Sequence, residues 1–257
     1  MTIDALRTTL ARDGVFNTRD LGGLPTADGR VLASGRVVRG DALQRVRGAA
    51  EGLRAYGLTR VIDLRDERER GESGVFTVEG IEVEHHPVID PTFAWYDRGD
   101  LELAQLLGQR YREILGAFGP RLAGVLTSVA DVVGPDGRGG AVAYHCAVGK
   151  DRTGLVTALL LSLLGVPDEA IVADYVRSAA ATAVQVQWLW AFGMPGGSTS
   201  DEDLAIGVWS ARPETMAATL DWLAAEHGGA ERYLAEQGLD AGALDALRAG
   251  LLVEPTR

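Results

Sequence analysis

Cys146 and Arg152 stand six residues apart in the string His145-Cys146-Ala147-Val148-Gly149-Lys150-Asp151-Arg152-Thr153-Gly154. Their types and spacing suit the handling of a phosphate dianion. An apolar run, Ala141-Val142-Ala143-Tyr144, precedes them and reads as a buried strand. A longer apolar run, Leu155 to Leu164, follows and reads as a helix. Cys146 therefore opens a loop between a strand end and a helix start. The first N–H groups of a helix lack internal partners and carry the positive end of its dipole. A loop curled around one centre aims further N–H groups at the same anion. Such a field lowers a thiol pKa from about 8.5 into a range of roughly 3.5 to 7.5, so Cys146 is expected as a thiolate at neutral pH. The planar fork of Arg152 can hold two phosphoryl oxygens. Gly149 allows the backbone to turn under the ligand. Thr153 is placed to donate a hydroxyl hydrogen to the sulfur and so improve it as a leaving group.

A lone cysteine is more often a buried, inert side chain. The complete string in a strand–loop–helix setting reverses that judgement. His145-Cys146, Gly149 and Arg152-Thr153 match the His-Cys-x5-Arg-Ser/Thr signature of cysteine-dependent phosphatases. The longer string resembles the bacterial tyrosine-phosphatase-like family, the atypical lipid phosphatases, and the resemblance extends from about Asn17 to Leu252. It implies a phosphatase with no metal or cofactor. Catalysis would fall to Cys146 and Arg152, and substrate binding to Ala147, Val148, Gly149, Lys150, Asp151 and Thr153. Lys150 would meet a second phosphate or a lipid head group, and His145 would support the loop.

Other segments must position that loop. Val15-Phe16-Asn17-Thr18-Arg19-Asp20-Leu21-Gly22-Gly23 reads by pattern alone as a polar turn with two glycines. It is similar to the family's Asn-x-Arg-Asp-Leu-Gly-Gly element, which implies that Arg19 and Asp20 support the active-site loops. Asp28-Gly29-Arg30 signals a hairpin turn. Val37-Val38 is a short strand ending at Arg39, a further supporting candidate. Residues 43–56 are expected as one helix ending at Gly57. Val61-Ile62-Asp63-Leu64 is a buried strand with Arg65 at its C-terminal end, where ligands gather in open α/β sheets. Arg65 is therefore a second-tier site residue. The charge run 65–70 reads as a solvated helix start.

A phosphatase also needs an acid to protonate the departing oxygen. Residues 80–85 alternate as an edge or half-buried strand and lead to Pro87-Val88-Ile89-Asp90. The family's Pro-x-x-Asp pattern falls on Asp90. Asp151 is the rival acid, its other reading being a carboxylate that stiffens the loop. Helical stretches follow over 92–118 and 122–130, and the resemblance makes the first of these an insertion over the site. Leu155–Leu164 is apolar on all faces and is the expected central helix. Pro167 starts another helix, with Arg177 turned toward the phosphate loop. A tryptophan-bearing helix spans 183–192, a loop 193–203, and amphipathic helices 213–227 and 241–252. The fold class expected is α/β. One domain, 1–257, would hold a central, mostly parallel sheet flanked by helices, with a supporting element at 13–40, the phosphate loop at 145–153 and a helical C-terminal part at 166–257.

Composition sets the outer limits. The 257 residues can bury a sizeable core, and 46% hydrophobic with 24% charged residues is ordinary for a globular chain. The net charge of −11 argues against nucleic-acid binding and leaves phosphate attraction to local arginines and lysine. With one cysteine there is neither an intramolecular disulfide nor a cysteine zinc cluster. No secretory signal or spanning segment is visible, so a cytoplasmic location is expected, with signal-independent secretion left open by the resemblance. The partner is a phosphorylated protein or a phosphoinositide. Two other readings remain: a catalytically inactive phosphate-binding module, and a rhodanese-type sulfurtransferase. The oligomeric state has no signature in the sequence.

Overall fold

The computed structural model describes residues 2–93, 103–135, 137, 139–191 and 209–255. Seven strands and ten α-helices lie in these segments. The strands are β1 (Arg19–Asp20), β2 (Val31–Leu32), β3 (Val37–Asp41), β4 (Leu58–Asp63), β5 (Glu82–His85), β6 (Ala141–Cys146) and β7 (Leu252–Val253). The helices are α1 (Ile3–Arg12), α2 (Ala50–Tyr56), α3 (Glu67–Ser73), α4 (Leu103–Val133), α5 (Asp151–Leu163), α6 (Asp168–Val176), α7 (Ser178–Ala191), α8 (Pro213–His227), α9 (Ala230–Glu236) and α10 (Ala241–Leu251).

The main sheet has the order β1-β3-β6-β4-β5. β3, β6, β4 and β5 run parallel, and β1 adds an antiparallel edge. This is the expected mostly parallel α/β architecture. Both sheet faces are covered, as parallel sheets require. Alternation along each strand divides the side chains between the faces. Val37, Ile62, Val142 and Tyr144 join the larger core with α4, α5, α6, α8, α9 and α10. Val38, Val61, Ala141 and Ala143 join the smaller core with α1 and α2. β6 lies at the centre, so its C-terminal residue, Cys146, emerges between its neighbours: Asp41 of β3 pairs with Cys146, and Asp63 of β4 with His145.

α5 is buried along nearly its whole length, Leu155 to Leu161 included, as its apolar composition requires. Its Gly154 is closely approached by Tyr175, whose ring would lie 3.2 Å from an added Cβ. β2 and β7 pair separately and tie the chain's end to its N-terminal part.

One expected element differs. Residues 43–56 are not one helix but a 3₁₀ turn, Leu43–Arg45, and then α2. The carboxylate of Asp13 accepts from the N–H groups of Arg47, Gly48 and Ala49, so these donors leave the helical ladder. The helices expected within 92–118 and over 122–130 run end to end as the two arms of α4. It kinks where Phe118 leaves helical geometry (φ −123°, ψ 18°), two residues before Pro120, whose ring cannot accommodate a straight path. The loop 193–203 lies outside the described residues, as do Trp95, Tyr96 and the rest of 94–102 in the expected covering insertion. No helix among the described residues is long and apolar enough to cross a membrane.

Candidate active site

The loop 146–150 is shaped from behind by its carbonyls. Gln185 Nε2 donates to the Ala147 carbonyl at 3.0 Å. Asn17 Nδ2 donates to those of Val148 and Gly149, both at 3.1 Å. Arg39 donates a second bond to Gly149 O at 2.8 Å. Three consecutive carbonyls are thus held on one side, which leaves the N–H groups for the other. The Gly149 N–H already points at Cys146 Sγ, 3.2 Å away. Gly149 takes φ +72°, and a Cβ there would meet Gly40 O at 2.7 Å. Only glycine fits that turn.

The donors behind the loop are themselves fixed. Asp174 of α6 sits between two buried arginines. Arg19 grips it twice, Nε to Oδ1 at 2.7 Å and Nη2 to Oδ2 at 3.1 Å, and Arg39 bonds Oδ2 as well. Burial would raise the Asp174 pKa, but Arg39 and Arg19 outweigh it and hold the carboxyl at about 2. Burial and the nearby Arg39 pull Arg19 down to about 10, so both partners remain charged at neutral pH. Arg19 also bonds Asn17 Oδ1 at 2.6 Å, setting the amide so that Nδ2 faces the loop. The backbone N–H groups of Phe16 and Asn17 donate to the Asp41 carboxylate at 3.0 and 2.7 Å, pinning this segment to the end of β3. Burial pushes Asp41 up to about 6 despite these donors.

Arg152 meets Glu69 of α3, Nη1 to Oε2 at 2.5 Å and Nη2 to Oε1 at 2.7 Å. A guanidinium has five N–H donors. Glu69 takes one from each terminal nitrogen, while Nε has no hydrogen-bond partner. The fork is oriented by Glu69 and keeps donors for an anion. Burial would lower the Arg152 pKa, but Glu69 and the Cys146 sulfur raise it overall. Burial likewise opposes ionisation of Glu69, and Arg152 outweighs it to hold the carboxyl below its ordinary range. Glu69 also closes a capping box with Asp66, each side chain accepting the other's N–H. The charge run expected as a solvated helix start therefore delivers a side chain to Arg152.

Cys146, Ala147, Val148, Asp151 and Arg152 line a cavity of about 310 Å³. Asp90 lies in its opposite wall, its side chain half-exposed and paired with Arg121 at 2.7 Å. Arg121 packs 5.0 Å from the Phe118 ring centroid, so the kink of α4 anchors the Asp90 loop. Asp151 Oδ1 accepts from Tyr111 Oη at 2.7 Å and lies 3.2 Å from Lys150 Nζ.

Several expected contacts differ. Lys150 is buried, its ammonium against Asp151 and, at 3.4 Å, the Ser210 carbonyl. The Thr153 hydroxyl bonds Gly40 O at 3.4 Å, not the sulfur. Asp20 faces away from the loop, as alternation along β1 dictates, and accepts from Gly22 and Gly35 N–H and Tyr56 Oη. Arg65 is fully buried and spends its donors on Asp63, Ser73 and Gly74. Arg177 is exposed and reaches only to 3.9 Å from Asp174. His145 is buried and lies with Nδ1 3.1 Å from Cys146 O. Burial pushes it down to about 4 against the pull of Asp63, so it is neutral at pH 7 and braces the strand end.

Glu69, Asp174, Gln185 and Tyr111 have no site role that a sequence motif assigns, and Asn17 stands only within a longer motif. Asp66-x-x-Glu69 has capping-box spacing, and Asp174 interrupts an apolar stretch, so both left a trace in the sequence.

A model of the tyrosine phosphatase family matches residues 10–253. The chain belongs to that family, whose members are phosphoric monoester hydrolases. It is 28% identical to the triple specificity protein phosphatase PtpB of Mycobacterium tuberculosis, over 93% of this chain and 97% of that one. It is 27% identical to a tyrosine-protein phosphatase of Nostoc commune, over 95% of this chain and 76% of that one. A relative from Cupriavidus necator is 30% identical, over 67% of this chain and 63% of its own length. The crystal structure of Pseudomonas aeruginosa TpbA aligns with 74% of this chain and 90% of its own at 17% identity, but its TM-score of 0.30 is too low to carry an argument.

Proposed function

We propose that this tyrosine-phosphatase-family chain hydrolyses aryl phosphate monoesters, phosphotyrosine first among them, through a cysteinyl-phosphate intermediate. The observation that carries this reading is the loop around Cys146, whose carbonyls are tied back while Arg152 is held beside it by Glu69. In the first step the Cys146 sulfur forms a bond to phosphorus as the ester P–O bond breaks. The loop N–H groups and Arg152 hold the equatorial oxygens. Asp90 gives its proton to the departing oxygen. In the second step water forms a P–O bond, its proton returns to Asp90, and the S–P bond breaks to release inorganic phosphate. Asp151, held by Tyr111 and Lys150, stiffens the loop.

The cavity walls favour an aromatic monophosphate. Ile89, Pro91, Phe93 and Leu107 supply apolar surface for a ring. Asp66, Glu69, Glu72, Asp90 and Asp151 surround it with carboxylates, against Arg68 and Arg152. A substrate with several phosphates meets repulsion there, and Lys150 is buried away from it.

Phosphate release with EDTA present tests this, using a phosphotyrosine peptide, a phosphoserine peptide and short-chain phosphoinositides. The reading expects the phosphotyrosine peptide to rank first and Cys146→Ser to release nothing. Preference for a multiply phosphorylated inositol would overturn the substrate assignment. Release by the Cys146→Ser variant would overturn the mechanism. Asp90→Asn is expected to slow phenyl phosphate far more than p-nitrophenyl phosphate, whose leaving group needs little protonation. Equal slowing assigns the acid elsewhere.

A further inference from the structure

A larger cavity, about 680 Å³, lies between α1 and α7, away from Cys146 and Arg152. From α1 it is lined by Asp4, Arg7, Thr8, Ala11 and Arg12, whose spacing is that of one helix face. From the opposite side come Arg177, Ala180, Ala181 and Val184, again at three- and four-residue intervals. Phe16, Asn17, Thr18 and Arg19 supply the rest of the lining, so the cavity backs on the brace behind the phosphate loop. Its volume is in the range of small-molecule sites, roughly 300–1,000 Å³.

The lining is amphipathic. Leu10, Ala11, Val15, Ala180, Ala181 and Val184 supply apolar surface, and Val184 is among the few large hydrophobic residues exposed in the structure, at 47%. Three exposed guanidinium groups stand at its edge, those of Arg7, Arg12 and Arg177. Arg7 and Arg12 form no ion pair among the described residues, and Arg177 approaches only Asp174, at 3.9 Å. Among the described residues Asp4 is the one carboxylate in the lining. On a chain of net charge −11 this is a local concentration of positive charge beside exposed apolar surface. It contrasts with the carboxylate-rich cavity at Cys146.

We propose that the α1–α7 cavity is a second binding site, for a small anionic amphiphile: an apolar chain carrying one carboxylate head. The apolar body lies along Ala180, Ala181 and Val184, and the head meets Arg7 and Arg12. Arg7 and Arg12 are exposed and make no hydrogen bond to the phosphate loop among the described residues, so they can be altered while the loop stays intact; Ala181 is half-buried.

The test is isothermal titration with dodecanoate below its micellar concentration, on wild type, on Arg7→Glu/Arg12→Glu and on Ala181→Trp, which fills the space. Turnover of p-nitrophenyl phosphate reports that each variant is folded and that its loop is intact. The site predicts saturable binding to wild type, at least tenfold weaker in both variants with turnover unchanged in Arg7→Glu/Arg12→Glu, and retained when tungstate saturates the phosphate loop. Dodecanol, which lacks the charge, should bind at least tenfold more weakly than dodecanoate. Equal dodecanoate affinity in the variants, displacement by tungstate, equal binding of dodecanol, or absence of saturable binding to wild type would each overturn the proposal. The readout is binding alone, so a failed phosphatase assignment and a failed second site give different results.

Discussion

Asn17→Ala removes the brace behind the phosphate loop without touching any reacting atom. Three hydrogen bonds disappear: Nδ2 to Val148 O and to Gly149 O, and Oδ1 from Arg19. Gly149 O keeps Arg39, whereas Val148 O loses its side-chain donor. A buried hydrogen bond contributes about 1 kcal/mol net, and a bond to a charged group about 1.5–3 kcal/mol, so the variant should be about 4 kcal/mol less stable. For a chain of this size that is a Tm lower by about 8–16 °C. The chemical effect is distinct from the stability effect. With Val148 O free to rotate, the loop N–H groups lose their common aim, and a misplacement near 1 Å costs on the order of 10² in rate. The expected result at 25 °C, where the variant is still folded, is a kcat/KM for p-nitrophenyl phosphate about 10–100-fold lower. The inhibition constant for tungstate should rise by a similar factor, since tungstate reads the cradle without bond breaking. If Tm falls as expected while kcat/KM and tungstate affinity stay within twofold of wild type, the carbonyl ties stabilise the fold but do not shape the anion site, and the reasoning is refuted.

Other outcomes follow from the same geometry. Glu69→Gln presents an amide N–H₂ to a guanidinium that also carries only donors, so Arg152 should lose its fixed orientation. Steady-state kinetics should show kcat/KM about 10–100-fold lower, with far-ultraviolet circular dichroism unchanged. Gly149→Ala must place an L residue at φ +72° with its Cβ 2.7 Å from Gly40 O. Activity should fall more than 100-fold and Tm by several degrees, while Gly71→Ala, which meets nothing within 4 Å, should leave activity unchanged. Asp174 is held at about 2 against an ordinary 3.8, a depressed folded-state value. Its stabilisation, about 2 kcal/mol by linkage, is fully present above pH 4 and is lost as pH falls toward 2. Denaturant titrations should show that loss in wild type and a shallower acid slope in Asp174→Asn. That variant should be destabilised at pH 7 by about 3–5 kcal/mol, because two buried guanidinium groups lose their carboxylate.

The sequence disclosed what local pattern can encode. The apolar run into Cys146 and the apolar run out of Arg152 define β6 and α5, because burial on all sides leaves no room for polar residues. Gly149 is legible because a turn beneath an anion admits little else. The long-range brace is less legible. Asn17 reaches the loop across 131 and 132 positions, and Asp174 reaches Arg39 across 135. A single sequence carries no mark of such pairs beyond a polar residue in an apolar context. Asp174 and Gln185 have that mark, which suggests buried function but not its partner, and Asn17 sits in a polar stretch without even that. Glu69 misled in the opposite way: amid Arg65-Asp66-Glu67-Arg68-Glu69-Arg70 it looks like one more solvated charge. Only the capping box that fixes the start of α3 turns it toward Arg152. Lys150 lies against Asp151 and Thr153 bonds Gly40 O, contacts that position along the loop does not encode.

The central claim, covalent catalysis by Cys146, is tested most directly by acid quench. The enzyme is mixed with ³²P-labelled phosphotyrosine peptide in EDTA, quenched within milliseconds, and digested for mass spectrometry. The account predicts one acid-stable phosphoryl group on the peptide containing Cys146, formed before phosphate release and absent in Cys146→Ser. Full turnover with no label on that peptide at any quench time would contradict it.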